Sequence, residues 1–185
     1  MILSVHQPNF FPWLPYFKKI QDSDIFIFLG NVQFARRQYQ NRFFFGEKWH
    51  TMSVNSGSQS DIIINKKYVN PEIDWFRIKT NLKSYSLSEF DSAISSNLYK
   101  TNTSIIRTIL LSLHINTPIY DDAVAPSIDA NERIIRLCKI HGADQYLTGP
   151  SGKRYLDLDL FSRNSIKVID FNYSESDRRP IISQL

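Results

Sequence analysis

The amino-acid sequence predicts an α/β fold: a three-layer, Rossmann-like sheet with an inserted β-hairpin and a helical cap. Three observations carry this. Ile2-Leu3-Ser4-Val5 is a short apolar run cut off by the turn-forming His6-Gln7-Pro8-Asn9. A helical pattern at Tyr16–Ile20 leads into a second apolar run, Asp24-Ile25-Phe26-Ile27-Phe28-Leu29, stopped by Gly30-Asn31. Late in the chain a helix, a strand at Gln145–Thr148, a loop and a strand at Ile166–Ile169 repeat the alternation that builds parallel sheets.

The elements follow in order. Residues 1–6 form the first strand. Pro8 and Pro12 keep the next stretch irregular, and Pro15 fits the first turn of a helix ending near Gln21. The insertion covers about residues 33–55, with strands Phe34–Phe45 and Trp49–Val54 joined by Gly46-Glu47-Lys48. Ile62-Ile63-Ile64 reads as a further strand. A helical segment spans about 74–114: Ser86-Leu-Ser-Glu89 has capping-box spacing, and Phe90, Ile94 and Leu98 follow at helical intervals. Thr103–Leu113 is strongly apolar. Asp129 caps a helix carrying Ile134, Ile135, Leu137 and Cys138, and Gly142 ends it. A short helix begins at Lys153. Ile25, Ile27, Leu29, Ile134, Cys138 and Val168 are expected on inner faces. All 185 residues are read as one domain.

Composition narrows the function classes. With 42% hydrophobic and 22% charged residues, the chain resembles an ordinary soluble globular protein. The net charge of +4 suits an anionic small molecule and does not demand nucleic acid. One cysteine, Cys138, leaves no intrachain disulfide framework. No apolar run approaches the roughly 18–20 residues of a membrane span, and the N-terminus lacks a signal-peptide pattern. A cytoplasmic location is expected. His6, His50, His114 and His141 share no ligand spacing with each other or with Cys138, so no metal site is expected.

Three clusters could carry chemistry. His6, Gln7 and Asn9 sit beyond the first strand, with Trp13 close behind, where ligands bind in open α/β sheets. His6 could meet phosphate or act as an acid or base; its plain alternative is a histidine satisfying loop carbonyls. Asn31-Val-Gln33 and Arg36–Arg42 place amides and arginines on a strand, where Asn41 and Arg42 could orient a substrate. A solvated basic face is the structural alternative, and single-stranded nucleic-acid binding a functional one. Gly149-Pro150-Ser151-Gly152-Lys153-Arg154-Tyr155 could wrap an anion with its backbone N–H groups and add charge; a plain strand–helix turn is the alternative. Its spacing is not that of a Walker A loop.

Taken in order along the chain, the residues resemble the WbqC-like family. The matching stretches are His6-Gln-Pro-Asn-Phe-Phe-Pro-Trp13, Tyr16-Phe17-x-Lys19-Ile20, Val32-Gln33-Phe34, Tyr39-Gln40-Asn41-Arg42, Trp49 and Gly142–Gly149 with Ser151-Gly152 and Tyr155-Leu156. Members occur in bacterial O-antigen and other surface-polysaccharide gene clusters. The resemblance implies a transferase of polysaccharide-precursor biosynthesis, moving an aminoacyl (glycyl-type) or acyl group onto a nucleotide-linked or lipid-linked sugar. On this reading His6 is the candidate catalytic residue, and Gln7, Asn9, Trp13, Asn31, Gln33, Asn41 and Arg42 are candidate substrate contacts. Ser151, Gly152, Lys153, Arg154 and Tyr155 would hold phosphate. The implied ligand is a nucleotide, ATP or a nucleotide-sugar, with no fixed cofactor. A non-catalytic nucleotide-sugar-binding or scaffolding protein of the same pathway is the alternative. Two departures stand out. Gly30-Asn31 replaces the family's usual aspartate pair, and family members usually continue further past the last strand.

Overall fold

A computed structural model of the chain describes residues 1–56, 61–174 and 181–184, save the side chains of residues 151 and 184. Five parallel strands form the central sheet: β1 (Ile2–His6), β2 (Ile25–Phe28), β5 (Ile119–Asp121), β6 (Gln145–Thr148) and β7 (Lys167–Asp170). A separate antiparallel hairpin joins β3 (Arg42–Phe45) to β4 (Lys48–Thr51). The helices are α1 (Leu14–Gln21), α2 (Pro71–Asn81), α3 (Leu98–Ser112), α4 (Ala130–Ile140), α5 (Pro150–Lys153) and α6 (Leu158–Arg163). The α/β, Rossmann-like class expected from the sequence is the one observed.

Spatial order in the sheet is β5-β2-β1-β6-β7. The chain winds outward from β1 through β2 to β5, then returns beside β1 as β6 and winds the other way. Strand order therefore reverses between β1 and β6, which makes their carboxyl ends the crevice where such sheets take ligands.

Alternation along the strands divides the core. Leu3 and Val5 of β1, Ile27 of β2 and Tyr146 of β6 pack under Ile134, Leu137 and Cys138 of α4 and Phe161 of α6. Phe26 and Phe28 face the opposite way, into a larger aromatic core with Phe17 and Ile20 of α1 and Ile105 and Ile109 of α3. Of the six expected core residues, Ile27, Ile134 and Cys138 are buried, and Ile25, Leu29 and Val168 are half-buried against the same cluster.

Local signals explain the best-read elements. The Asp129 carboxylate accepts from the backbone N–H groups of Asn131 (2.8 Å) and Glu132 (3.3 Å), opening α4. At its other end Gly142 takes φ +68°, and Ala143 N–H donates to the Cys138 carbonyl at 2.8 Å. This is a Schellman motif, and the left-handed backbone there suits glycine. The hairpin turns at Gly46 and Glu47, both at positive φ (55° and 64°), and pairs Phe45 with Lys48. Two left-handed residues form the turn that matches strand twist.

Four expectations are corrected. Residues 34–41 run as coil and turns, with Arg37 at φ +62°, so only Arg42–Phe45 is strand and Arg36–Asn41 do not share it. The Ile62–Ile64 run makes one antiparallel bridge, Ile62 with Gln33, then coils into a 3-10 turn over Ile63–Asn65. Its N–H groups are spent on the Gly30 and Val32 carbonyls rather than on a ladder. The Ser86–Leu98 pattern is broken: a 3-10 turn covers Ser88–Ala93, and α3 starts anew at Asn97, whose side chain accepts from Lys100 N–H at 2.8 Å. The short helix after β6 begins at Pro150, not Lys153. The edge strand β5 gave no sequence signal, being three half-exposed or exposed residues.

Candidate functional site

Two cavities meet at the carboxyl end of β1. One, of about 530 Å³, lies at the β1/β6 reversal and is lined by His6, Lys19, Thr148, Gly149, Gly152 and Tyr155, among others. The second, of about 640 Å³, lies between the loop after β1 and the hairpin, lined by Asn9, Phe11, Gln38, Tyr39, Gln40 and Phe44 among others. His6, Gln7, Trp13 and Tyr173 line both. The proline-punctuated stretch 8–15 accounts for this arrangement. It holds the chain in a loop after β1, and α1 starts only once Pro15 supplies a fixed φ.

His6 is held in one tautomer. Its Nδ1 lies 2.9 Å from the Gln7 carbonyl oxygen, which can only accept, so Nδ1 carries the proton. Nε2 then presents a lone pair, and it has no partner among the described residues. The ring sits edge-on to Tyr16 and Trp13, at centroid distances of 4.8 and 6.2 Å. Burial, and next the positive charge of Lys19, pull its pKa from 6.5 down to about 4. The imidazole is therefore neutral at physiological pH, a base rather than a cation.

Lys19 is the residue that sequence reading missed. It lies on α1, which delivers its amine back beneath the end of β1, where Nζ donates to the Val5 carbonyl at 3.0 Å. The residue is 6% exposed, and burial brings its pKa from 10.5 down to about 8. A lysine between Phe17 and Ile20 on the buried face of a helix was the available signal.

The remaining expected residues divide by place. Gln7, Asn9 and Trp13 stand with His6. Gly152 and Tyr155 line the reversal crevice, and a Cβ at position 152 would come within 2.6 Å of Thr148 Oγ1, so a larger residue there would displace the Thr148 side chain. Lys153 pairs with Asp170 at 2.6 Å, and Arg154 is exposed. The Ser151 side chain falls outside the described atoms.

Asn31, Gln33, Asn41 and Arg42 line neither of the two cavities. Asn31 donates to the carbonyls of Asp122 (2.8 Å) and Val124 (3.2 Å), tying β2 to the chain after β5. Gln33 is exposed and bridges to Ile62. Asn41 donates to the Met52 carbonyl at 2.8 Å. Arg42 donates to the Arg37 carbonyl and lies 3.9 Å over the Trp49 ring. Gly30-Asn31 also has a steric reason: a Cβ at position 30 would approach the Tyr99 ring to 2.7 Å. Among the described residues no group of His, Cys, Asp and Glu could hold a metal ion, and no helix is long and apolar enough to cross a membrane.

A model of the WbqC-like protein family matches residues 7–180, nearly the whole chain. The chain belongs to the WbqC-like family. It is also similar to a Mycobacterium tuberculosis protein described as "Uncharacterized protein Rv1507c", with 25% identity over 92% of this chain and 82% of that one. No solved structure matches it.

Proposed function

We propose that this WbqC-like protein is a transferase of surface-polysaccharide precursor biosynthesis, moving an aminoacyl or acyl group onto an amine or hydroxyl of a nucleotide-linked or lipid-linked sugar. One observation carries the reading: a neutral histidine with a free Nε2 lone pair stands on the wall shared by two cavities at the strand reversal. Two cavities allow two substrates to be held at once, and most of the rate would come from that positioning. His6 Nε2 takes the proton from the attacking acceptor atom as the acyl carbon–acceptor bond forms. The donor's leaving group departs with its electron pair and receives a proton in turn. Opposite charge brought in by a substrate raises the histidine pKa toward neutrality, where a general base works best.

Incubation with acyl and aminoacyl donors and a panel of nucleotide-sugars, read by mass spectrometry, tests this. An acyl mass gain on the sugar that disappears in His6→Gln is expected. Undiminished transfer by His6→Gln, or binding of both substrates with no product, refutes it. The second result would favour the reading as a binding or scaffolding protein.

A further inference from the structure

Charged side chains removed from water are paired in folded proteins, because an uncompensated buried charge costs several kcal/mol. Most of the buried charges here obey this rule. Lys66 is 2.8 Å from Asp61, Arg133 is 2.6 Å from Asp122, and Asp74 is 3.1 Å from Arg77. Lys19 does not. It is nearly as buried as these, yet its Nζ meets one neutral carbonyl and, among the described residues, no carboxylate. An ammonium has three donors, and that bond uses one of them.

The surroundings say what completes it. Among the described residues, the crevice lined by Lys19 has no Asp or Glu in its lining, and Lys19 is its one lysine or arginine. Of the two basic residues that flank the lining at Gly152 and Tyr155, Lys153 pairs with Asp170 and Arg154 is exposed to solvent. His6, across the same wall, is neutral and offers a lone pair, not a second positive charge. Among the described residues, the crevice thus holds one positive charge, with a cavity of about 530 Å³ beside it. One charge is balanced by one negative charge. A diphosphate with two or more would leave the surplus buried and unpaired.

We propose that the Lys19 ammonium is the anion-binding group of the reversal crevice, and that it takes one singly charged oxyanion of the substrate, a phosphodiester or a carboxylate. This rests on the crevice being the substrate site of the transferase proposed above. It adds the group that holds the substrate and the charge that the substrate carries there. Bound at Lys19, the oxyanion also screens that ammonium from His6, and so readies the base once substrate is in place.

Thermal unfolding of the wild-type protein, Lys19→Met and Lys19→Arg tests this, with dimethyl phosphate, acetate or inorganic pyrophosphate added against sodium chloride of equal ionic strength. The wild type should gain several degrees over the chloride control with dimethyl phosphate or with acetate, and less with pyrophosphate. Which of the two stabilises identifies the source of the oxyanion. Lys19→Arg should keep the gain and Lys19→Met should lose it. Without added anion, Lys19→Met should melt no lower than the wild type, since it removes an uncompensated buried charge. Should the methionine variant not fold, Lys19→Gln takes its place. Equal gains in Lys19→Met and the wild type overturn the proposal, as does the absence of any anion-specific gain in the wild type. His6-dependent transfer that survives in Lys19→Met sinks this inference alone. Lys19-dependent stabilisation without His6-dependent transfer sinks the transferase reading instead.

Discussion

Acid should destabilise this protein through one identifiable ring. His6 has a pKa of about 4 in the folded chain against 6.5 when unfolded, with burial as the first cause. Between these values the unfolded chain binds the proton and the folded chain does not, so stability rises with pH across the window. The contribution is complete above pH 6.5 and is lost as pH falls toward 4. At about 1.4 kcal/mol per pH unit the gap amounts to about 3 kcal/mol. For a chain of this size that is a fall in melting temperature of roughly 6–12 °C. Urea unfolding at pH 7, 6, 5 and 4, on the wild type and His6→Gln, isolates the effect. The comparison is needed because His50 is also shifted downward by burial and contributes to the loss. The wild type should lose about 3 kcal/mol more than the variant between pH 7 and 4. Parallel curves, or a His6 ring that titrates near 6.5 by NMR, would refute the account of a desolvated neutral imidazole.

Three substitutions test the scaffold beneath the site. Asn31→Asp restores a family-type carboxylate but faces it with two carbonyl oxygens, those of Asp122 and Val124, in place of two hydrogen bonds. It should cost about 1–3 kcal/mol in chemical denaturation, and a neutral or stabilising result would show that the tie is unimportant. Arg133→Met leaves Asp122 buried without its guanidinium and should cost about 3–5 kcal/mol by the same assay; a cost under 1 kcal/mol would count against the pair. Cys138 is fully buried among α4 and sheet residues, and burial pushes its thiol up to about 12. Cys138→Ser should cost about 1–3 kcal/mol while leaving ligand-induced stabilisation unchanged, and the native thiol should react slowly with a labelling reagent.

What the sequence determined by itself is what a few neighbouring residues decide. The runs at 2–5, 25–28 and 145–148 read as strands because turn residues bound them, and each is a strand of the parallel sheet. The α4 helix is written at both ends, by a carboxylate that caps its first turn and a glycine that accepts the left-handed backbone after its last. The loop after β1 could be read as a site because strand ends in parallel sheets are where ligands bind, and His6, Gln7, Asn9 and Trp13 do stand together there. Tertiary structure decided everything that depends on which groups are already spent. The amides of Asn31 and Asn41 read as free recognition groups, but distant backbone carbonyls of Asp122, Val124 and Met52 consume them. The helical spacing across Ser86–Leu98 was overridden where Asn97 bridges to Lys67 in extended conformation and caps α3 afresh. Lys19 reads as one polar residue in a helix. Its meaning comes from its surroundings in space, which among the described residues pair it with no carboxylate, and no local pattern encodes that.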